Sequence, residues 1–347
     1  MVFKLGLIHA KRILIIIGII SVIGILIIGI SVGCLSMQTE KYTASTDKLS
    51  IGMQDNISPT LVWIAKVKGF FEEEGLDIEL KKYPSGKLAL MGLINNEVDL
   101  CTTADIPIMS SCFERSDFLI LCTIANSDNA LWIIARKDKG ITKPEDLRGK
   151  KIATQKNSAA HFFLCMFLLH NQIPDSEVYI SYMEAVDLPN ALINGEIDAF
   201  CLRNPYIQEA KDALGENAQE FFGPGIYRQT FNIIGKKDFV YKKPELIEKV
   251  IKAVIKAGEL ADKDKGQAIK ITAEMLGAGR EKEVITDWPT FTFEVSLNQS
   301  LIVTLEDEAR WAIKNKLTNK TEVPNYLDYI YIDVLEKMKP EAVGIIH

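Results

Sequence analysis

No CxxC pair occurs among the six cysteines, and once Cys34 is set aside the other five are an odd number that cannot all bridge internally. Cys112 and Cys165 stand apart from the rest, while Cys101, Cys122 and Cys201 fall in apolar, strand-like runs where a free cysteine serves as a small buried hydrophobe. No Walker phosphate loop and no HExxH is present, so neither ATPase nor zinc-protease chemistry has its sequence signature. An excess of basic charge is also absent. Lys4, Lys11 and Arg12 belong to the first 34 residues, which contain no acid; this leaves 37 of the 40 basic residues against all 46 acidic ones, a net of −9. Such a surface does not recruit nucleic acid.

One long apolar run is present. Residues 13–33 are 21 residues without a charge, preceded by Lys11 and Arg12. Their length suits a spanning helix of about 20 residues better than a signal-peptide core of about 7–15, and the flanking cations would hold its start in the cytoplasm. Ser31, Val32 and Gly33 ahead of Cys34 also resemble a lipoprotein processing site, with serine where leucine is usual. Anchor helix and lipid attachment at Cys34 both remain open, and either one tethers the rest of the chain outside the membrane. Gly29, Ser31 and Gly33 satisfy the GxSxG hydrolase pattern, a false positive inside such a run.

The body of the chain repeats itself. LINNEVDL at residues 93–100 returns as LINGEIDA at 192–199, and IGMQDN from Ile51 returns as IATQKN from Ile152, with offsets of 99 and 101. Two collinear matches argue for a duplication of about 100 residues and hence two lobes. Each copy passes from an apolar strand through a polar turn to a helix, the alternation of an α/β unit. Ligands of open α/β sheets sit beyond the carboxyl ends of strands. The residues to watch are therefore Gln54, Asp55, Asn56 and Ser58 in the first copy and Gln155, Asn157 and Ser158 in the second.

A third echo, WIIARKD from Trp132 and NIIGKKD from Asn232, is what a double crossover between lobes would leave. The expected organisation is an N-terminal segment over 1–34, a polar linker over 35–48, lobe one over 49–136, lobe two over 137–231 and a return to lobe one over 232–347. Two hinge strands would let the lobes close on a ligand. In detail we expect one helix over 60–71 with Pro59 in its first turn, a strand over 76–83, a turn at Pro84, Ser85 and Gly86, a helix from Lys87 to 96, a strand over 98–101, a loop over 102–107 and a strand over 118–124. In lobe two Ser158 caps an apolar helix ending at His170, with His161 a packing residue inside it. A helix over 188–194, a strand over 200–202 and a loop over 203–206 follow, and residues 244–260 form an amphipathic, core-facing helix.

WIAKVKGFFEEEGLDIEL, TTADIP, DLRGKKIATQKNSAAHFFL, ALINGEIDAF and LEDEARWAIKNKL give the chain its resemblance to a known family. It resembles the extracytoplasmic solute-binding proteins of ABC importers in the nitrate, sulfonate and taurine group, over about residues 48–340. The resemblance implies an α/β type II periplasmic-binding-protein fold with two similar lobes, a ligand cleft between them and two hinge crossovers. It implies a monomer without cofactor that captures an aliphatic sulfonate, taurine or nitrate and delivers it to a membrane permease with a separate ATPase subunit, and it implies no catalysis. The alternatives are a binding protein for a thiamine-precursor pyrimidine or other small heterocycle, and a pyrimidine-synthesising enzyme of the same fold. The candidate ligand residues are Gln54, Asn56, Ser58, Gly86 and Thr103 in lobe one and Asn157, Ser158, Ala159 and Arg203 in lobe two. Lys87 is a weaker candidate. Asp105, Asp128 and Asp187 would favour an amine on the ligand if they faced the cleft, and Trp63 and Trp132 are read first as core. Aromatic cleft walls would point to a ring, convergent amides with Arg203 to an oxyanion.

Overall fold

The computed structural model describes residues 46–346. Cys34, the run 13–33 and nearly all of the linker lie outside the described residues. Ten strands build two five-stranded sheets: β1 (Asp47–Gln54), β2 (Leu76–Tyr83), β3 (Leu100–Ala104), β4 (Phe118–Ser127), β5 (Trp132–Arg136), β6 (Lys151–Thr154), β7 (Tyr179–Tyr182), β8 (Ala199–Leu202), β9 (Ala218–Phe221) and β10 (Gln229–Lys236). The first sheet runs β2-β1-β3-β10-β4 and the second β7-β6-β8-β5-β9. In each, the first three strands are mutually parallel and the fourth is antiparallel to both neighbours.

Each echo in the sequence has a physical counterpart. Leu93–Asn96 and Leu192–Gly195 both end a helix on a left-handed residue, Asn96 at φ 61° and Gly195 at φ 76°, the position that asparagine and glycine tolerate. Asp99 then accepts from the backbone N–H of Ser50 at 2.8 Å and Asp198 from that of Lys151 at 2.9 Å, so one carboxylate pins β1 in the first sheet and β6 in the second at the same place. The third echo also matches in register: Asn232 lies opposite Thr103 and Ile233 opposite Thr102, just as Trp132 lies opposite Leu202 and Ile133 opposite Cys201.

This register moves a boundary. Residues 132–136, expected in lobe one, pair with β8 and β9 of the second sheet, while residues 229–231, expected in lobe two, begin β10 of the first. Each sheet thus takes its fourth strand from the chain that has just left the other sheet. The two crossovers are residues 128–131 and 222–228.

Other boundaries shift for local reasons. The helix expected over 60–71 is two, α1 (Thr60–Val67) and α2 (Phe70–Glu73), because Gly69 sits at φ 75° between them. The expected helix from Lys87 is α3 (Gly86–Ile94), capped by Ser85, whose side chain accepts from the Leu88 N–H. The segment 102–107 is not a loop: Thr102 and Thr103 continue β3, and Asp105 opens α4 (Asp105–Cys112) with Pro107 in its first turn, where no N–H is required. In the second lobe α5 (Ala159–His170) carries the Ser158 cap, and α6 (Leu188–Ile193) precedes β8. The amphipathic stretch forms α7 (Pro244–Lys263), packed on α1. The return continues through α8 (Glu281–Asp287) and α9 (Gln299–Lys314), the latter packed against α4.

The core of the first lobe is apolar and tightly enclosed, with Trp63, Phe71, Phe118 and Ile51 shut off from solvent. Strand β4 is buried along all ten residues. Its free edge is covered by the returning chain: the Thr123 N–H donates to the Ser296 carbonyl at 2.8 Å and the Asn126 N–H to that of Thr292 at 2.9 Å, which removes the exposed edge that would invite strand addition. Cys101, Cys112, Cys122, Cys165 and Cys201 are all free and buried. Burial pushes their thiols up, Cys165 to about 11 and Cys122 to about 12, so they serve packing rather than nucleophilic chemistry.

Candidate ligand-binding cleft

The five lobe-one candidates come together. Asn56 Oδ1 accepts from the Ser58 backbone N–H at 3.0 Å and from its hydroxyl at 2.7 Å. Gln54 donates its side-chain amide to Ser58 Oγ, in a turn that leaves both side chains buried. Gly86, at the start of α3, lies so close that a β-carbon built on it would stand 2.4 Å from Gln54 Oε1 and 2.8 Å from Thr103 Oγ1. Thr103 Oγ1 itself is buried without a hydrogen-bond partner. Turn chemistry at the end of β1, a helix start and a strand end therefore converge in one polar patch.

Gly86 is the position this patch tolerates least change in. An alanine methyl would also come within 3.2 Å of the Thr103 Cα, which is backbone and cannot rotate away. Gly86→Ala is expected to destabilise the fold by about 1–3 kcal/mol through overpacking and to displace Gln54. Urea denaturation checks this, and an unchanged midpoint would mean that the packing of Gly86 against Gln54 and Thr103 is looser than described.

In lobe two the candidates separate. Ser158 Oγ accepts from the His161 N–H at 3.3 Å, as an N-cap does, and donates to the Gln155 carbonyl at 2.6 Å. Ala159 is buried behind it. Asn157, held at φ 57°, borders a separate cavity of about 300 Å³ with Ile106, Phe113 and Trp311. His161 is a packing residue. Its ring lies edge-on to Tyr182 and Trp311 with centroids 5.0 Å away, and burial, with Lys156 nearby, lowers it to about 4, so it is neutral at physiological pH. Trp63 is core, as expected. Lys87 is solvent-exposed, and so are Asp128 and Asp187.

Arg203 stands just past the end of β8 and borders a cleft lined by Asn56 beyond β1, Arg203 and Asn204 beyond β8, Ala130 of the first crossover, Trp132 and Phe231 near the starts of β5 and β10, and Phe291 from the return. Among the described residues no hydrogen bond or ion pair ties Arg203 down. Its surface is open to solvent, yet protein crowds around it closely enough that desolvation lowers its pKa against the opposing pull of Tyr206, Asp287 and Glu283. Those two acids border the same cleft and are already engaged. Glu283 pairs with Arg280 at 2.6 Å, and Asp287 accepts from the Asn204 amide at 3.0 Å, while burial raises its carboxyl. The cleft therefore holds one uncommitted cation among committed anions, the arrangement that receives a negative group in two-pronged geometry.

Sequence reasoning did not find Glu283, Asp287, Phe231 or Phe291, and it read Trp132 as core. Nothing in their local pattern marks them, because they reach the cleft through the return of the chain. Phe231 had one available signal, standing a residue ahead of the NIIGKKD echo and hence at the crossover.

Asp105 lies beneath the cleft rather than in it. Its Oδ2 accepts from the Thr230 N–H at 2.7 Å and its Oδ1 from the Ile106 N–H at 2.9 Å and the Tyr227 hydroxyl at 2.7 Å. Tyr227, in the second crossover, also reaches Glu308 of α9 at 3.0 Å. Burial raises Asp105 to about 6 despite these donors, and raises Glu308 well above the usual carboxylate range with Asp105 adding to the rise.

The chain is similar to the putative aliphatic sulfonates-binding protein of Bacillus subtilis (strain 168), 25% identical over 220 residues that make up 60% of this chain and 64% of that protein. The chain thus spans slightly less than two thirds of that relative. It is 24% identical to the taurine-binding periplasmic protein of Escherichia coli (strain K12) over 217 residues, 62% of this chain and 67% of that one. The crystal structure of the periplasmic aliphatic sulphonate binding protein SsuA from Escherichia coli matches with a TM-score of 0.69 at 21% identity, over 83% of this chain and 98% of that one. At that identity the likeness establishes the periplasmic-binding-protein fold. The family model described as NMT1/THI5 like matches residues 56–268, more than half of the sequence, and the chain belongs to the NMT1/THI5-like family.

Proposed function

We propose that this protein is the extracytoplasmic substrate-binding component of an ABC importer, which captures a small anion of the sulfonate, taurine or nitrate class and delivers it to a membrane permease served by a separate ATPase. The observation that carries the reading is Arg203, a cleft guanidinium without a partner, facing Asn56 across the cleft. The names of the sulfonate- and taurine-binding relatives support the same class. The anion enters between the lobes, takes Arg203 on one side and Asn56, held by the buried Ser58, on the other, and so favours closure about the two crossovers. The N-terminal segment, as an anchor helix or through lipid at Cys34, keeps the protein at the outer face of the membrane. Binding rather than catalysis is the proposed role, in keeping with the names of the sulfonate- and taurine-binding relatives.

A second reading, a neutral heterocycle such as a thiamine-precursor pyrimidine, draws on the aromatic residues of the cleft. Thermal unfolding of the full-length chain in a non-ionic detergent, screened against alkanesulfonates, taurine, nitrate and pyrimidines, separates the two. A ligand that binds only the folded state stabilises it by about 2.7 kcal/mol at a hundredfold excess over Kd. The expected result is a rise in Tm with at least one anion and none with neutral pyrimidines, and the reverse pattern would replace the first reading with the second.

A further inference from the structure

The cleft around Arg203 is walled by rings. Trp132 opens β5 just past the first crossover and is held in place by its indole N–H, which donates to the Asn129 carbonyl at 2.8 Å, and by edge contact with Phe222, 5.0 Å between centroids. Phe231 lies near the start of β10, 5.6 Å from Phe291. Phe291 stacks in turn on Phe293 at 5.7 Å and 9°, and Phe293 lies tilted against Trp288 at 4.6 Å and 43°. The rings at the cleft are therefore the front of a fixed aromatic ladder, so little ordering is needed when a ligand arrives.

An oxyanion as small as nitrate could use Arg203 but would leave the half-buried rings of Trp132 and Phe291 wet. A neutral ring could use the faces but would leave the guanidinium unpaired. The engaged carboxylates of Glu283 and Asp287, on the border of the same cleft, add a third condition, because they repel a second negative charge.

We propose that the ligand is a ring-bearing monoanion, an aromatic sulfonate or carboxylate whose acid group pairs with Arg203 while its ring lies against Trp132, Phe231 and Phe291. This rests on the anion-binding reading above and narrows it. The cleft selects for one charge on a flat apolar body, and Phe291 and Trp132 set that selectivity.

Calorimetric titration of the full-length chain in detergent with benzenesulfonate, methanesulfonate and neutral benzamide tests it. Benzenesulfonate is expected to bind at least about tenfold more tightly than methanesulfonate, with benzamide weaker than both. In Phe291→Leu, and independently in Trp132→Leu, the ratio of the two sulfonate affinities should fall toward one, whatever the absolute change. Equal affinity for the two sulfonates, or a ratio that neither substitution alters, overturns the ring inference and leaves the anion reading intact. Benzamide binding as tightly as benzenesulfonate, or no binding by either sulfonate, overturns both.

Discussion

Arg203→Ala is expected to weaken binding of the best sulfonate by about 2–5 kcal/mol, about one and a half to three and a half orders of magnitude in Kd, because it truncates the charged half of a partly desolvated pair. The effect on the empty protein should be small. Arg203 has no hydrogen bond or ion pair to lose among the described residues, and its desolvation already works against the folded state. Unfolding in urea should therefore shift by no more than about 0.5 kcal/mol, the range of a surface change. Arg203→Lys keeps the charge but not the planar fork, and should fall between the two. Calorimetric titration alongside urea denaturation makes the distinction. An unchanged Kd in the alanine variant would remove Arg203 from the site, and a large loss of stability would mean that the side chain supports the fold instead.

Glu308→Gln should change how stability depends on pH. Tyr227 has one hydroxyl proton and two carboxyl partners. The shorter contact, 2.7 Å, goes to Asp105, so the 3.0 Å contact to Glu308 calls for a proton on Glu308. Both carboxyls are raised by burial, and Asp105 and Asp307 add negative charge near Glu308. A carboxyl whose folded pKa lies above its unfolded value binds its proton more tightly in the folded state. Its contribution is fully present below about pH 4 and is lost as pH rises through the folded value. For Asp105 the displacement from 3.8 to about 6 corresponds to about 3 kcal/mol. Glutamine at position 308 can donate without a titrating proton, so the pH-dependent loss that Glu308 itself contributes disappears while that of Asp105 remains. The variant should match the wild type near pH 4 and exceed its stability increasingly as pH rises. Denaturation midpoints at several pH values read this directly, and curves that stay parallel would mean that the two carboxyls do not share a proton. Asp105 is the costly member to delete, since alanine there would strand the Thr230 and Ile106 N–H groups at about 1–3 kcal/mol each, while Tyr227 keeps Glu308.

The fold was legible because the chain states it twice. LINNEVDL and LINGEIDA encode a helix end on a left-handed residue followed by a pinning aspartate, and that short-range chemistry survives translation into sequence. Gly69 was visible too but was read as one helical residue among many; only its positive φ makes it a break. Site legibility followed the same division. Gln54, Asn56, Ser58 and Arg203 could be named because they stand just past strands whose ends the echoes mark. Glu283, Asp287 and Phe291 could not, since they arrive from a return segment that has no copy in the other lobe and meets the cleft only in three dimensions. Asp105 was visible as an acid beside a strand end, but its burial depends on Tyr227 and Glu308, more than 120 and 200 residues away.

The exchange of fourth strands also fixes an order of events while the chain is being made. The second sheet has all its members once Phe221 exists, but the first cannot close until Lys236, because β10 must come between β3 and β4. Strand β4 is finished at Ser127 and waits, apolar and unpaired, while about 100 further residues are added, a delay of roughly 5–20 s at ordinary rates of synthesis. A half-made molecule thus leaves an apolar strand uncovered by its own topology. That interval gives a chaperone an extended segment to hold.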